Sequence, residues 1–405
     1  MGGMHFRRAN EGDLERLVAI HASAFPDPRR DDARRTNFTS NAFGELADLR
    51  VCEIDSVIVA HAFLFSLEIG VGGARVRAGG IASVGVAPEA RGSGVGGALL
   101  DHLHAQSQKR NDAITVLYAF RQGFYARRGY VAVTPSRRLH FSPRAVPTAW
   151  RKEGLVRRAT GEDRDAIVAC YERAVLRGTG LISRTSRFWD ARLLDERRQW
   201  FVAPGERGEI RGYVAWTTGQ REPHAVTTMA VNELVADDDR TKRRLYALIG
   251  AQRDQVSEVV IEVDAVDPID RALEDADQGR FGNEDLEHFL GEIAAGPMVR
   301  MLDVDRAIAA RGYAREGAVN LVIDGGDVRR VEIGAGRGRV VAPTPRAAEG
   351  PTLRASAAAL AQILYGALAT TDAARLGWVE ADAASTLDLA DGLFAIPPYF
   401  ALDPF

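Results

Sequence analysis

The stretch from Gly79 to Tyr130 constrains this chain more than any other. It opens on the apolar run GGIASVGVAP, which predicts a strand ending at Pro88, a residue with no N–H to give to a ladder. Arg91-Gly92-Ser93-Gly94-Val95-Gly96-Gly97 follows at once, and Leu99, Leu100 and Leu103 then recur at helical spacing. The order is strand, glycine loop, helix. Glycines let a backbone approach a ligand closely, and the free N–H groups of a first helical turn suit a phosphate anion. Neither common nucleotide loop fits. No Lys-Ser/Thr closes the stretch, and glycines at 92, 94, 96 and 97 do not follow the dinucleotide arrangement.

A second apolar strand, Ile114 to Ala119, comes next, and a short helix then carries Tyr125-Ala126-Arg127-Arg128-Gly129-Tyr130. R-x-x-G-x-G, a strand and Y-x-x-x-G-Y in this order resemble the acetyl-CoA segment of the GCN5-related N-acetyltransferases (GNAT). The resemblance implies a loop that holds a pyrophosphate, a tyrosine that faces a thioester and a glycine that turns the chain into the next strand.

A length of 405 residues leaves room for two to four domains. With 26% charged residues and a net charge of −3, no strong field points to nucleic acid or to an anionic membrane as a partner. Cys52 and Cys170 fall in strand and helix interiors, so they read as buried thiols in a reducing compartment, with no metal site expected. The N-terminal residues lack an apolar signal core, and no run of 18 apolar residues occurs. The expectation is a soluble, cytoplasmic protein.

Three domains are expected. In residues 1–150, the segment Asp13 to Phe25 has helical periodicity, the polar segment Pro26 to Thr39 follows, and strands Leu49 to Ile54 and Val57 to Ile69 flank a tight turn at Asp55-Ser56. A last strand of this domain is expected near Arg138 to Phe141. Residues 151–296 open as the first domain does, with strand then helix, so the chain reads as duplicated. Where the first copy has glycines, the second has Asp237-Asp238-Asp239, carboxylates that would repel a pyrophosphate. The second copy is therefore expected to be non-catalytic. Residues 297–405 begin with an amphipathic helix ending at Gly312, continue with three strands between Gly317 and Ala342, and include an apolar helix over Thr352 to Leu368.

The last block resembles the sterol carrier protein fold. The expected class is thus α+β: tandem GNAT domains followed by a sterol-carrier-protein-like domain, with a C-terminal phenylalanine. That order resembles the enhanced intracellular survival (Eis) family, acetyl-CoA-dependent acetyltransferases acting on amines of aminoglycosides and on lysine side chains. Carried over by position, Val84, Gly85 and Val86 would meet the acetyl and pantetheine groups, and Arg91, Gly92, Ser93, Gly94, Val95, Gly96 and Gly97 the pyrophosphate. Tyr125 would be the general acid, and the Phe405 α-carboxylate the base. Phe25 and Asp27, with Asp31 and Asp32 near them, lie where an amine acceptor, a small molecule or a peptide, would enter. The family resemblance alone implies a homo-oligomer, a hexamer. One departure is clear: no tryptophan occurs between Phe25 and Phe43. The other class of function is an acyl-CoA- or lipid-binding sensor built on a degenerate transferase, against which Tyr125 and the intact loop argue.

Overall fold

The computed structural model describes residues 3–26, 30–220, 227–275, 290–366 and 368–405. The first part of the chain supplies β1 (His5–Arg8), α1 (Leu14–Ala24), α2 (Asp31–Thr39), β2 (Leu49–Ile54), β3 (Val57–Val71), β4 (Ala74–Val86), α3 (Val95–Lys109), β5 (Ile114–Leu117), α4 (Gln122–Ala126), β6 (Val131–Ala132) and β7 (Ser136–Phe141). The middle part supplies β8 (Arg157–Arg158), α5 (Arg164–Arg177), β9 (Thr179–Ile182), α6 (Ser186–Leu193), β10 (Gln199–Pro204), β11 (Ile210–Gln220), β12 (Thr227–Ala236), α7 (Asp239–Gly250), β13 (Glu258–Val263), β14 (Gly291–Ala294) and β15 (Met298–Met301). In the last part come α8 (Val304–Ala310), β16 (Gly317–Ile323), β17 (Val328–Gly334), β18 (Arg337–Val341), α9 (Pro345–Ala348), β19 (Thr352–Ala355), α10 (Ala357–Leu364), α11 (Thr370–Arg375), β20 (Val379–Ala381) and α12 (Ala384–Phe394).

Three sheets follow, ordered β1-β2-β3-β4-β5-β15-β6 with β9 on β3, β14-β7-β13-β12-β11-β10-β8, and β18-β17-β16-β19-β20. The class is α+β, as expected. The β2–β3 turn falls at Asp55 and Ser56, whose φ values of 49° and 64° are those of a two-residue hairpin turn of the primed type.

The sheets do not divide where residues 150 and 296 were expected to divide them. β7, expected to close the first domain, lies between β13 and β14 of the second sheet, while β15 crosses back to sit between β5 and β6 of the first. Pro135 accounts for the break after β6, since a residue without an N–H cannot continue that ladder. Leu139 and Phe141 then bury in the second core, whereas Met298 and Val299 bury in the first. Each sheet is completed by a strand from the other copy's stretch of sequence, which ties the two copies together.

The expected duplication is visible at side-chain level. Asn10 and Asp13 form a capping box, and Thr160 and Asp163 form another. Arg7 grips Asp13 through two hydrogen bonds of 2.7 and 2.9 Å, and Arg157 grips Asp163 through two of 2.7 Å, each arginine six residues before its aspartate.

In the last part, the apolar helix expected over Thr352 to Leu368 is instead β19 followed by α10, because Ser356 caps the helix by accepting the Ala359 N–H. The buried Arg311 donates to the carbonyls of Leu364 and Phe394, at the ends of α10 and α12, where helix dipoles favour a cation. One apolar cluster runs from Leu17, Phe63 and Val76 to Leu321, Leu364 and Phe394, so the first and last parts share a core.

The duplicated clasp makes stability depend on acid. Hydrogen bonds from Arg157, and then the Thr160 backbone N–H, hold the Asp163 carboxyl down to about 2 against the opposing effect of burial. The unfolded value is about 3.9, so this stabilisation is complete above that pH and is lost as pH falls toward about 2. Asp163→Asn should therefore make urea-unfolding stability fall less steeply between about pH 4 and about pH 3. A slope equal to that of the parent chain would contradict the assignment.

Candidate active site

β4 and β5 run parallel and pair at Ala78–Ile114, Gly79–Thr115 and Gly80–Val116. β4 continues to Val86 while β5 ends at Leu117, so the two strands part beyond Gly80. Among the described residues, no strand pairs with the β4 edge from Ile81 to Val86 on that side. Such an edge is a template for an extended ligand with amide groups of its own. A bulge re-aims it: the register passes from Phe63–Ala82 to His61–Gly85, setting Ser83 and Val84 against Ala62 alone, with Ser83 at φ 50°. His61 packs directly beneath Gly85, and burial first, then the neighbouring His21, hold its pKa down to about 3. The floor of the site is therefore uncharged at neutral pH.

The loop after β4 leads into α3. Gly92 and Gly94 have φ values of 79° and 88°, and a Cβ built on either meets nothing within 4 Å, so the backbone conformation and not crowding selects glycine. Gly94 is the N-cap of α3 and has no side chain to bond the first-turn N–H groups, which stay available to an anion. The second copy differs at this point. Asp238 caps α7 by accepting the Thr241 N–H at 2.7 Å, while Asp237 is held by Arg173 and Arg177 at 2.8 Å each. There a carboxylate of the chain takes the place that the first copy leaves to a ligand.

A cleft of about 650 Å³ connects these features. Val84 and Val86 line one side, Arg91, Gly92 and Gly94 to Gly97 another, and Phe25, Phe120 and Phe124 complete it. The expected residues Gly85 and Ser93 do not face it: Gly85 lies on His61, and the Ser93 hydroxyl donates to the Ala90 carbonyl at 2.7 Å. Arg91 lines the cleft, yet its guanidinium donates to the Val86 and Ser23 carbonyls at 3.2 and 2.9 Å, stapling α1 to the loop. Asp27 lies outside the described residues. Asp31 and Asp32 sit on the exposed side of α2, in local ion pairs with Arg34 and Arg30.

Tyr125, on α4, is 2% exposed and packs edge-on against Phe124 and Tyr130 with ring centroids 5.0 and 5.9 Å away. Burial pushes its pKa up to about 12, and its hydroxyl has no hydrogen-bond partner among the described residues. The other motif tyrosine is committed to structure. Tyr130 shares hydrogen bonds of 2.9 Å with His104 and 2.8 Å with Thr115, and Arg300 contacts the far side of His104. Burial, then Arg300 and Arg128, hold His104 down to about 3, so the neutral ring accepts a hydrogen bond from Arg300 at Nδ1 and donates its Nε2–H to the Tyr130 hydroxyl.

The chain end reaches this region. The Phe405 ring meets Phe43, Tyr118 and Phe65 with centroids 5.6, 5.6 and 6.3 Å away, contacts worth roughly 0.5–1.5 kcal/mol each beyond the area they bury. It also lies on Gly80, where a Cβ would come within 3.1 Å of the ring. The tail is thus docked where β4 and β5 part. Sequence reading had not singled out Tyr118 or Phe65. Tyr118 could have been found from its place just past the C-terminal end of a parallel strand, the end at which α/β sheets gather ligands; Phe65 carries no such mark.

The difference between the two helix starts is testable. Gly94→Asp brings a charge and a disfavoured φ to the open cap and should abolish acetyl-CoA binding in calorimetric titration. Asp238→Ala removes a cap and should lower unfolding stability by about 1 kcal/mol with acetyl-CoA affinity unchanged. Retained binding in the first variant, or lost binding in the second, would contradict this placement of the site.

Comparison with known proteins agrees with the geometry. Residues 5–133 match a family described as an acetyltransferase (GNAT) domain, and residues 180–301 match a second family with the same description. The chain is 28% identical over 313 residues to the N-acetyltransferase Eis of Mycobacterium bovis and of Mycobacterium tuberculosis, covering 73% of each chain. In fold it is similar to a GCN5-related N-acetyltransferase from Anabaena variabilis, with a TM-score of 0.83 and 18% identity over 100% of both chains. It is similar also to Eis1 from Mycobacterium abscessus, with a TM-score of 0.77 and 21% identity over 99% of this chain and 100% of that one. With a bare helix N-terminus and an open strand edge in the first of two GNAT domains, the chain is an acetyl-CoA acetyltransferase of the GNAT type, similar to the Eis N-acetyltransferases.

Proposed function

We propose that the chain acetylates primary amines of aminoglycoside-like or lysine-containing acceptors by direct transfer from acetyl-CoA at the first GNAT domain. The observation that carries this reading is the docking of Phe405 against Gly80, at the mouth of the opened β4 edge. An alkyl amine has a pKa near that of lysine, roughly 10.4, and attacks only when neutral. The Phe405 α-carboxylate holds the incoming ammonium and receives a proton from it. The amine nitrogen then bonds to the acetyl carbon, the carbon–sulfur bond breaks, the sulfur leaves as a thiol with the proton of the Tyr125 hydroxyl, and the second proton lost by the nitrogen as it becomes an amide restores that hydroxyl. A tyrosine held near 12 keeps that proton throughout the neutral range.

In the same reading, backbone groups near Val86 polarise the acetyl carbonyl, and the N–H groups after Gly94 hold the pyrophosphate. The second copy, its helix start filled by Asp238, is non-catalytic. The last part is a sterol-carrier-protein-like domain, and the protein works in the cytoplasm as a homo-hexamer.

A spectrophotometric assay of thiol released from acetyl-CoA across a panel of amines tests the reaction. Tyr125→Phe removes the proton and little volume, so turnover should fall about 10²–10⁴-fold with acetyl-CoA affinity nearly unchanged. Near-full turnover in that variant, with chemistry rate-limiting, would leave Tyr125 a packing residue only. An alkaline loss of activity well below pH 12 that disappears in Tyr125→Phe would contradict its being held protonated there.

A further inference from the structure

Two residues before the chain end, Asp403 is buried in the second GNAT copy. Arg184 donates to its carboxylate from Nε and Nη2 at 2.8 Å each, and Arg192 donates at 2.7 Å. Tyr171 adds a hydroxyl at 3.1 Å. The third arginine nitrogen, Nη1, donates to Glu233 at 2.8 Å. The side chains of Arg184 and Asp403 are 0% and 1% exposed, and the Arg184 guanidinium lies 3.9 Å from the centre of the Tyr171 ring.

Glu233 occupies a telling place. In the first copy the β4 bulge is closed by Gly85, beside the open edge. In the second copy the register of β11 on β12 shifts between Ala215–Glu233 and Trp216–Val231, so Glu233 closes the corresponding bulge. A glycine beside an open edge has become a buried carboxylate that anchors Arg184. Upstream, the tail lies along β9, with the Phe400 N–H donating to the Thr179 carbonyl at 2.8 Å, and β9 itself pairs with β3 of the first sheet.

We infer that Arg184, seconded by Arg192, is a positioning residue: by gripping Asp403 it fixes the Phe405 carboxylate at the first copy's site, and the second copy has become the mount for the chain end. The inference rests on the proposed role of that carboxylate. Packing alone does not call for this arrangement, since buried ion pairs are often replaceable by apolar groups without loss of stability. What a two-pronged guanidinium–carboxylate contact supplies is register. Pro404, with its fixed φ, passes that register to the last residue.

The test compares Asp403→Asn, Arg192→Gln and a chain with one glycine appended after Phe405, in thiol-release kinetics, acetyl-CoA titration and carboxypeptidase digestion of the folded protein. Misplacing a reacting group by an ångström costs about 10²-fold, so Asp403→Asn should lose about that in kcat with acetyl-CoA affinity kept. Carboxypeptidase should release Phe405 faster from it than from the parent, a change that mere loss of packing elsewhere would not cause. Arg192→Gln, at the edge of the cluster, should shift both readings in the same direction and less far. If Asp403→Asn does not fold, Arg192→Gln decides. A kcat within about twofold of the parent in the folded variant, while the glycine extension abolishes turnover, overturns the clamp and leaves the carboxylate's role standing. Full turnover in the extended chain overturns that role, and the clamp with it.

Discussion

The structure turns on the separation of β4 from β5 past Gly80. A strand that runs on without its neighbour keeps unpaired backbone donors and acceptors, and each such group, when buried, costs about 1–3 kcal/mol if left unsatisfied. A fold sustains that cost where solvent or a ligand completes the bonding. Here the bulge at Ser83 and Val84 turns the open edge toward the cleft, and α3 brings its uncapped N-terminus to the same space. An extended ligand with amides along its length and phosphates at one end matches both. Acetyl-CoA is such a molecule.

The duplicated copy shows what happens when the same framework is not kept open. Its strand and helix are of the same kind, and its Arg157–Asp163 clasp repeats Arg7–Asp13. At the helix start Asp238 bonds the Thr241 N–H, and on the strand Glu233 takes up arginines. A carboxylate of the chain thus fills the helix start that the first copy leaves open, and another replaces the glycine that closes the first copy's bulge. The exchange of β7 and β15 joins the two sheets, so the second copy stands in fixed relation to the first and can hold what the first requires. In the proposed reading, the second copy is support for the site in the first.

Much of this was legible in the sequence because the chemistry is local. The strand, the left-handed glycines, the helix periodicity and the two motif tyrosines lie within Gly79 to Tyr130, and each depends on its own backbone conformation or spacing. β2, the Asp55-Ser56 turn and the cysteines, both buried and free, were legible for the same reason. The exchanged strands were not, since a run of four to six residues says at most that a strand exists and nothing about which sheet it joins. The hydrogen bonds of Arg91 to the Val86 and Ser23 carbonyls were not legible, because no motif records which backbone carbonyls compete for its donors. Arg184 was missed because its partner lies 219 residues away. The apolar, proline-stiffened tail did mark itself as one that docks, and the ring contacts of Phe405 agree with it.

Amide hydrogen exchange with and without acetyl-CoA tests the central claim most directly, because it reads the backbone groups on which the site is built. Exchange should slow at Ile81 to Val86 and at Val95 to Gly97 when acetyl-CoA is bound, with no change along β12 or the first turn of α7. Protection of β12 and α7 in place of β4 and α3, or of both pairs together, would contradict it.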